Sequence, residues 1–229
     1  MDAVKKTSTR MDTKKLATLA MLVALAFVVM ALSKLLPSVN GFLDFDFKDV
    51  VLCIGGFIYG PVSALMMIVI VCILEMLSPW SDTGYVGCIM NIVATASFVC
   101  TACAIYKHKR TMKGAVLGLL AGVVMLIIVM LAWNYIITPG YQQVPREAIV
   151  DMLPTLFLPF NAVKGGLNMT VTLLVYKPVV DALRKAKLVP ESTSHASPVG
   201  AKKHLGMTIV ILFVFVSCVL FALSLQGLI

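Results

Sequence analysis

Seven apolar runs, separated by short polar or basic connections, dominate the chain: residues 16–36, 49–60, 61–78, 84–106, 114–137, 153–180 and 206–227. A helix crosses the hydrocarbon of a bilayer with about 20 apolar residues, and most of the runs reach that length. The second and third are shorter and are divided by Gly60-Pro61. A glycine ending one helix and a proline opening the next predict a tight turn between two short helices. The pattern therefore predicts an all-α, polytopic membrane protein. It comprises an N-terminal tail over 1–15, a six-helix block over 16–186, a linker over 187–205 and an extra C-terminal transmembrane helix over 206–229. The linker, rich in Ser, Pro and Lys, is predicted to be mobile.

Composition agrees with the pattern. Of 229 residues, 60% are hydrophobic and 13% charged, with a mean hydropathy of +0.97. A soluble domain is nearer half apolar and a quarter charged, so this chain lacks the polar residues to cover a soluble surface. The first apolar run follows a basic tail but has no small-residue cleavage site after it, so it reads as a retained helix rather than a cleaved signal.

The net charge of +8 changes the picture through its placement. Fifteen of the 19 basic residues fall in three regions: the N-terminal tail, the connection after the fourth segment, and the stretch after the sixth. Alternation of helices puts all three on one side, which the positive-inside bias makes the cytoplasm. The N-terminus is then cytoplasmic, and a spanning seventh helix leaves the C-terminus outside. Asp44, Asp46, Asp49, Asp82, Glu147 and Asp151 gather on the opposite side. No surface module pairing aromatic with basic residues remains for nucleic acid.

Other chemistries find no support. The chain contains no G-x-x-x-x-G-K-[ST] and no H-E-x-x-H, so neither P-loop ATP binding nor a zinc-peptidase site is expected. No cofactor is implied. Cys100 and Cys103 form a C-x-x-C without a second pair or nearby histidine, and read as small packing residues. There is no internal repeat of the secondary-transporter kind. Energy for concentrating a solute would have to come from an ion gradient or from another subunit. Glu75 lies near an outer helix end and reads as interfacial.

Against this apolar background a few polar residues stand out. Lys164 lies inside the sixth segment, where a charge costs about 3 kcal/mol on insertion scales. Asn161, Lys164 and Asn168 are spaced i, i+3, i+7 and so share one helix face, which Thr172 extends. Snorkelling would account for the lysine but not for two asparagines beside it; a ligand-binding stripe accounts for all three. Asn91 lies about two turns into the fourth segment. It reads either as an interhelical hydrogen bond or as the second wall of the same pocket. In "FLDFDFKDV", Phe42, Phe45 and Phe47 alternate with Asp44, Asp46 and Asp49, as in a solvated outer loop or a loop covering a flat ligand. Ala17, Ala20 and Ala24 place small residues one turn apart on the first helix, a geometry that lets another helix approach closely.

Four stretches together resemble the riboflavin-specific S components of energy-coupling factor (ECF) transporters, the RibU family. They are "ALAFVVM", "FLDFDFKDVVLCIGGFIYGP", "GCIMNIVATASFV" and "LPFNAVKGGLNMTVTLLVYKPV", covering roughly residues 14–186. The resemblance implies a non-enzymatic, multi-pass protein of the bacterial cytoplasmic membrane. It would capture riboflavin from outside and release it inward through a membrane-embedded coupling subunit and two cytoplasmic ATPases. By position it implies that Asn161, Lys164 and Asn91 contact the ligand, with Asn168, Phe42 and Phe45 as further candidates, and that Ala17, Ala20 and Ala24 face the coupling subunit. An S component for another vitamin, such as thiamine, pantothenate or biotin, is the alternative. The family has no need of the seventh segment, which reads as a loosely packed peripheral helix.

Overall fold

Helix boundaries follow the polar interruptions closely. In a computed structural model, residues 13–36, 38, 39, 43–79, 81, 84–186 and 201–225 are described. Five long or paired helices make up the first part: α1 (Thr13–Ser33), α2 (Lys48–Tyr59), α3 (Pro61–Leu77), α4 (Gly84–His108) and α5 (Met112–Ile136). Two short helices follow, α6 (Thr138–Gln142) and α7 (Arg146–Met152). A π-helical turn, Leu153–Phe157, then leads into α8 (Leu158–Lys185), and the last element is α9 (Ala201–Leu225). The predicted mobile linker falls mostly outside the described residues.

Local chemistry explains the breaks. Gly60 takes φ +92° between α2 and α3, a backbone conformation that a Cβ disfavours, and Pro61 opens α3. Thr111 caps α5, its side chain accepting from the Gly114 amide at 3.1 Å. Pro154, which lacks an amide hydrogen, sits within the π-helical turn. Four described helices are long and apolar enough to cross a membrane: Thr13–Ser33, Gly84–His108, Met112–Ile136 and Thr208–Leu225. α8, at 28 residues, spans about 42 Å at 1.5 Å per residue.

α2 is different. Its 12 residues reach only about 18 Å, less than the roughly 30 Å hydrocarbon layer. The connection between α1 and α2 makes up the difference by folding inward. Val39 and Leu43 exchange backbone hydrogen bonds of 2.8 and 3.1 Å, and the Phe47 amide donates to Ser33 Oγ at 3.1 Å. Phe45, Asp46, Lys48 and Asp49 are all buried. Irregular backbone at this depth is tolerated because protein, not lipid, surrounds it.

The main core is formed by α1 to α5 with Leu173 of α8 and Ile211 of α9, and includes Leu22, Ala26, Leu52, Met67, Phe98 and Leu126. The helix ends sort into two sets. The C-termini of α1, α3 and α5 meet the N-termini of α4 and α8 at one end, the loop end. The α2–α3 turn meets the C-terminus of α4 at the opposite, basic end. There Tyr106 and Tyr176 share a 2.9 Å hydrogen bond, and Lys15 lies over the Tyr59 ring.

α9 was expected to be peripheral and loosely held. It does leave most of its surface exposed, but it also packs along α8, burying Ile211 and Ala222.

Candidate functional site

The apolar helices leave one polar cavity at the loop end. Asn91 comes from α4, Asn134 from α5, and Phe160, Asn161 and Lys164 from α8. Lys34, Asp44, Asp46 and Glu75 line another side, and Met76, Met90, Ala94, Leu126 and Met130 supply an apolar floor. Three residues picked out in the sequence, Asn91, Asn161 and Lys164, thus meet in one cavity although 70 positions separate the first two.

Their hydrogen bonds define what each can still offer. Asn161, 3% exposed, donates from Nδ2 to the Phe157 carbonyl at 2.7 Å, a carbonyl at the end of the π-helical turn. Its Oδ1 is left as an acceptor. Lys164 is half-buried and among the described residues has no carboxylate within ion-pair distance, so its three ammonium hydrogens remain for a ligand. Asn134 is more committed: Nδ2 donates to the Met130 carbonyl at 2.7 Å, and Oδ1 accepts from Thr138 Oγ1 at 2.9 Å.

A charge network, buried at Lys48, Asp46 and Glu75 and half-exposed at Lys34 and Asp44, closes the side of the cavity nearest α1 and α3. Lys34 Nζ lies 2.7 Å from Asp44 Oδ2 and 3.8 Å from Glu75 Oε1. Lys48 Nζ lies 3.1 Å from Glu75 Oε2, an ion pair that falls short of hydrogen-bond geometry, and also pairs with Asp46. Burial would raise the Asp46 carboxyl, but the charges of Lys48 and Lys164 outweigh it and hold Asp46 below its ordinary value. Asp49 accepts from Thr95 Oγ1 at 2.8 Å. Three lysines therefore face four carboxylates around the site.

Several residues occupy places other than those expected. Asn168 does not line the cavity. It is 1% exposed, and its Nδ2 donates to the Asp46 carbonyl at 3.0 Å, so it fastens the connection to α8. Thr172 is likewise turned to packing, donating to the Asn168 carbonyl at 2.6 Å. Phe45 is buried against Phe160, with ring centroids 5.1 Å apart, and supports the wall from behind. Phe42 lies outside the described residues. Glu75, read as interfacial, is 5% exposed and joins the charge network. Asp44, Asp46 and Asp49 belong to the protein interior rather than a fully solvated loop, though Asp44 stays half-exposed. Ala17, Ala20 and Ala24 are exposed along α1.

Sequence reasoning missed Lys34, Lys48 and Asn134. The lysines flank helix ends, where charge is ordinary in a membrane protein. Asn134 carried the signal already used for Asn91, an amide in an apolar helix.

The class follows from fold and site together: a multi-pass helical membrane protein holding a pocket of mixed polar and apolar character between its helix ends. Comparison with known proteins narrows it. The family model described as "ECF transporter, substrate-specific component" matches residues 14–180, and the chain belongs to that family. It is 33% identical over 178 residues to the riboflavin transporter RibU of Staphylococcus aureus, covering 75% of this chain and 93% of that protein. It is 30% identical over 189 residues to the riboflavin transporter FmnP of Bacillus subtilis, covering 78% of this chain and all of that protein. A solved structure, described as the S component of a bacterial ECF transporter, superposes with a TM-score of 0.64 at 32% identity, covering 75% of this chain and 98% of that one. The family segment ends before α9.

Proposed function

We propose that this chain is the riboflavin-binding S subunit of an ECF-type importer, with the cavity at the loop end as the binding site. The observation that carries the reading is the convergence of Asn91, Asn161 and Lys164 on one cavity with an apolar floor. Riboflavin has a flat ring with carbonyl and imide edges and a chain of hydroxyls. Asparagine amides serve both donors and acceptors, and the Lys164 ammonium serves acceptors. Met76, Met90 and Leu126 offer the ring an apolar surface, the usual combination in small-molecule sites. A neutral ligand also suits a wall on which Lys34 and Lys48 are already paired with Asp44, Asp46 and Glu75. The curated relatives named as riboflavin transporters support the choice of vitamin over thiamine, pantothenate or biotin.

The same reading orients the protein. The basic end faces the cytoplasm, so the cavity opens outward. The exposed Ala17, Ala20 and Ala24 present a shallow helix face that fits close approach by a membrane-embedded coupling subunit, through which two cytoplasmic ATPases supply the energy. The direct test is a fluorescence titration of riboflavin with purified protein. Saturable quenching at one ligand per chain, uncompeted by excess thiamine, pantothenate or biotin, is the predicted result. Quenching that another of these vitamins abolishes would reassign the ligand.

A further inference from the structure

The family segment ends at residue 180, yet α9 is in contact with the parts of the chain that build the site. Antiparallel to α8, it brings Phe215, Cys218, Val219, Ala222 and Leu225 into one apolar cluster with Val39, Phe45, Phe160, Val163 and Leu167. The approach is close: a Cβ added at Gly166 would lie 3.0 Å from Cys218 Sγ. Phe160 lines the cavity on one face and stacks with Phe45 on another. Val39 and Leu43 hold the connection in shape through their paired backbone hydrogen bonds, and Leu43 and Asp44, just beyond, reach the cavity. α9 thus braces from behind the wall and cover whose front faces the ligand.

We infer that α9 is a positioning helix for the site, clamping the α1–α2 connection and Phe160 in the ligand-retaining arrangement and so slowing ligand release. The inference concerns the riboflavin site proposed above. Among the described residues none of α9 lines the cavity, so the helix acts through Phe45, Val39 and Phe160. Affinity differences of this kind reside mainly in the dissociation rate.

The test uses the full chain and two variants that wedge α8 and α9 apart from opposite sides, Gly166→Leu and Ala222→Trp; neither residue lines the cavity. Stopped-flow fluorescence of riboflavin release is read beside hydrogen exchange of the amides between 38 and 47 in ligand-free protein. Both variants are expected to release riboflavin about tenfold faster, with association changed less than about threefold, and to exchange the amides of Val39, Leu43 and Phe47 faster. Replacing Cys218 by Gly in the Gly166→Leu background is expected to restore both, which a general loss of folding would not allow. Unchanged release and unchanged exchange in both variants would overturn the inference. If no form bound riboflavin, the ligand assignment would fall, but exchange in the connection would still decide the role of α9: faster exchange supports the clamp, and unchanged exchange removes it.

Discussion

Replacing Lys48 by methionine probes the charge network where it is most enclosed. Lys48 is 1% exposed and holds two carboxylates, Asp46 and Glu75. Methionine keeps most of the volume and apolar length but removes the ammonium. Breaking a buried ion pair by deleting one partner typically costs about 3–5 kcal/mol, because the remaining charge stays buried without compensation. Two features place this case at the lower end. Glu75 keeps Lys34 at 3.8 Å, and Asp46 keeps the more distant field of Lys164. A loss of about 3 kcal/mol corresponds to roughly 6–12 °C in Tm for a chain of this size. Thermal unfolding in mild detergent measures it. A second removal isolates the cause: in Lys48→Met/Glu75→Gln the orphaned charge of Glu75 is gone, so the double variant should be more stable than the sum of the singles predicts, by about 1 kcal/mol or more. A Tm change below about 2 °C, or effects that simply add, would refute the idea that these charges depend on one another in the folded protein.

Further outcomes follow from the same geometry. Lys164→Ala and Asn161→Ala should each weaken riboflavin binding about ten- to a hundredfold, the loss of a hydrogen bond involving a charged group or of a buried amide partner; isothermal titration reads it, and wild-type affinity in Lys164→Ala would mean that the lysine only snorkels. Ala20→Leu with Ala24→Leu should leave riboflavin binding by the isolated protein unchanged yet abolish uptake by cells carrying the coupling subunit and ATPases, since both alanines are exposed and neither lines the cavity; retained uptake would move the coupling face elsewhere.

The long helices were legible because in a membrane protein the connections between them are marked by turn and basic residues: Gly60-Pro61 divides α2 from α3, and the basic stretch around Lys109 divides α4 from α5, whereas the short α6 and α7 carry no such apolar run. Asn91, Asn161 and Lys164 were legible for the same reason, as polar groups where hydrocarbon sets a high cost. What periodicity could not supply was the inward fold of the α1–α2 connection. Asn168 shares a helix face with Lys164, but the backbone of Asp46 occupies that face first, so a stripe that looks continuous splits into a part for the cavity and a part for the connection. Glu75 and Lys48 were indistinguishable from interfacial charges until the short reach of α2 drew Lys48 into the interior to meet them. α9, uniformly apolar, carries no sequence signal for which helix it packs on; the gap at Gly166 that admits Cys218 appears only in three dimensions.

Riboflavin held in the cavity formed by Asn91, Asn161 and Lys164 would colour the protein. The most direct measurement is the visible absorption of protein purified in mild detergent from riboflavin-containing cells, followed by denaturation and identification of whatever is released. The expected result is a yellow protein that releases riboflavin at close to one molecule per chain, with the colour weakened in Lys164→Ala. A colourless protein that also fails to take up added riboflavin would contradict it.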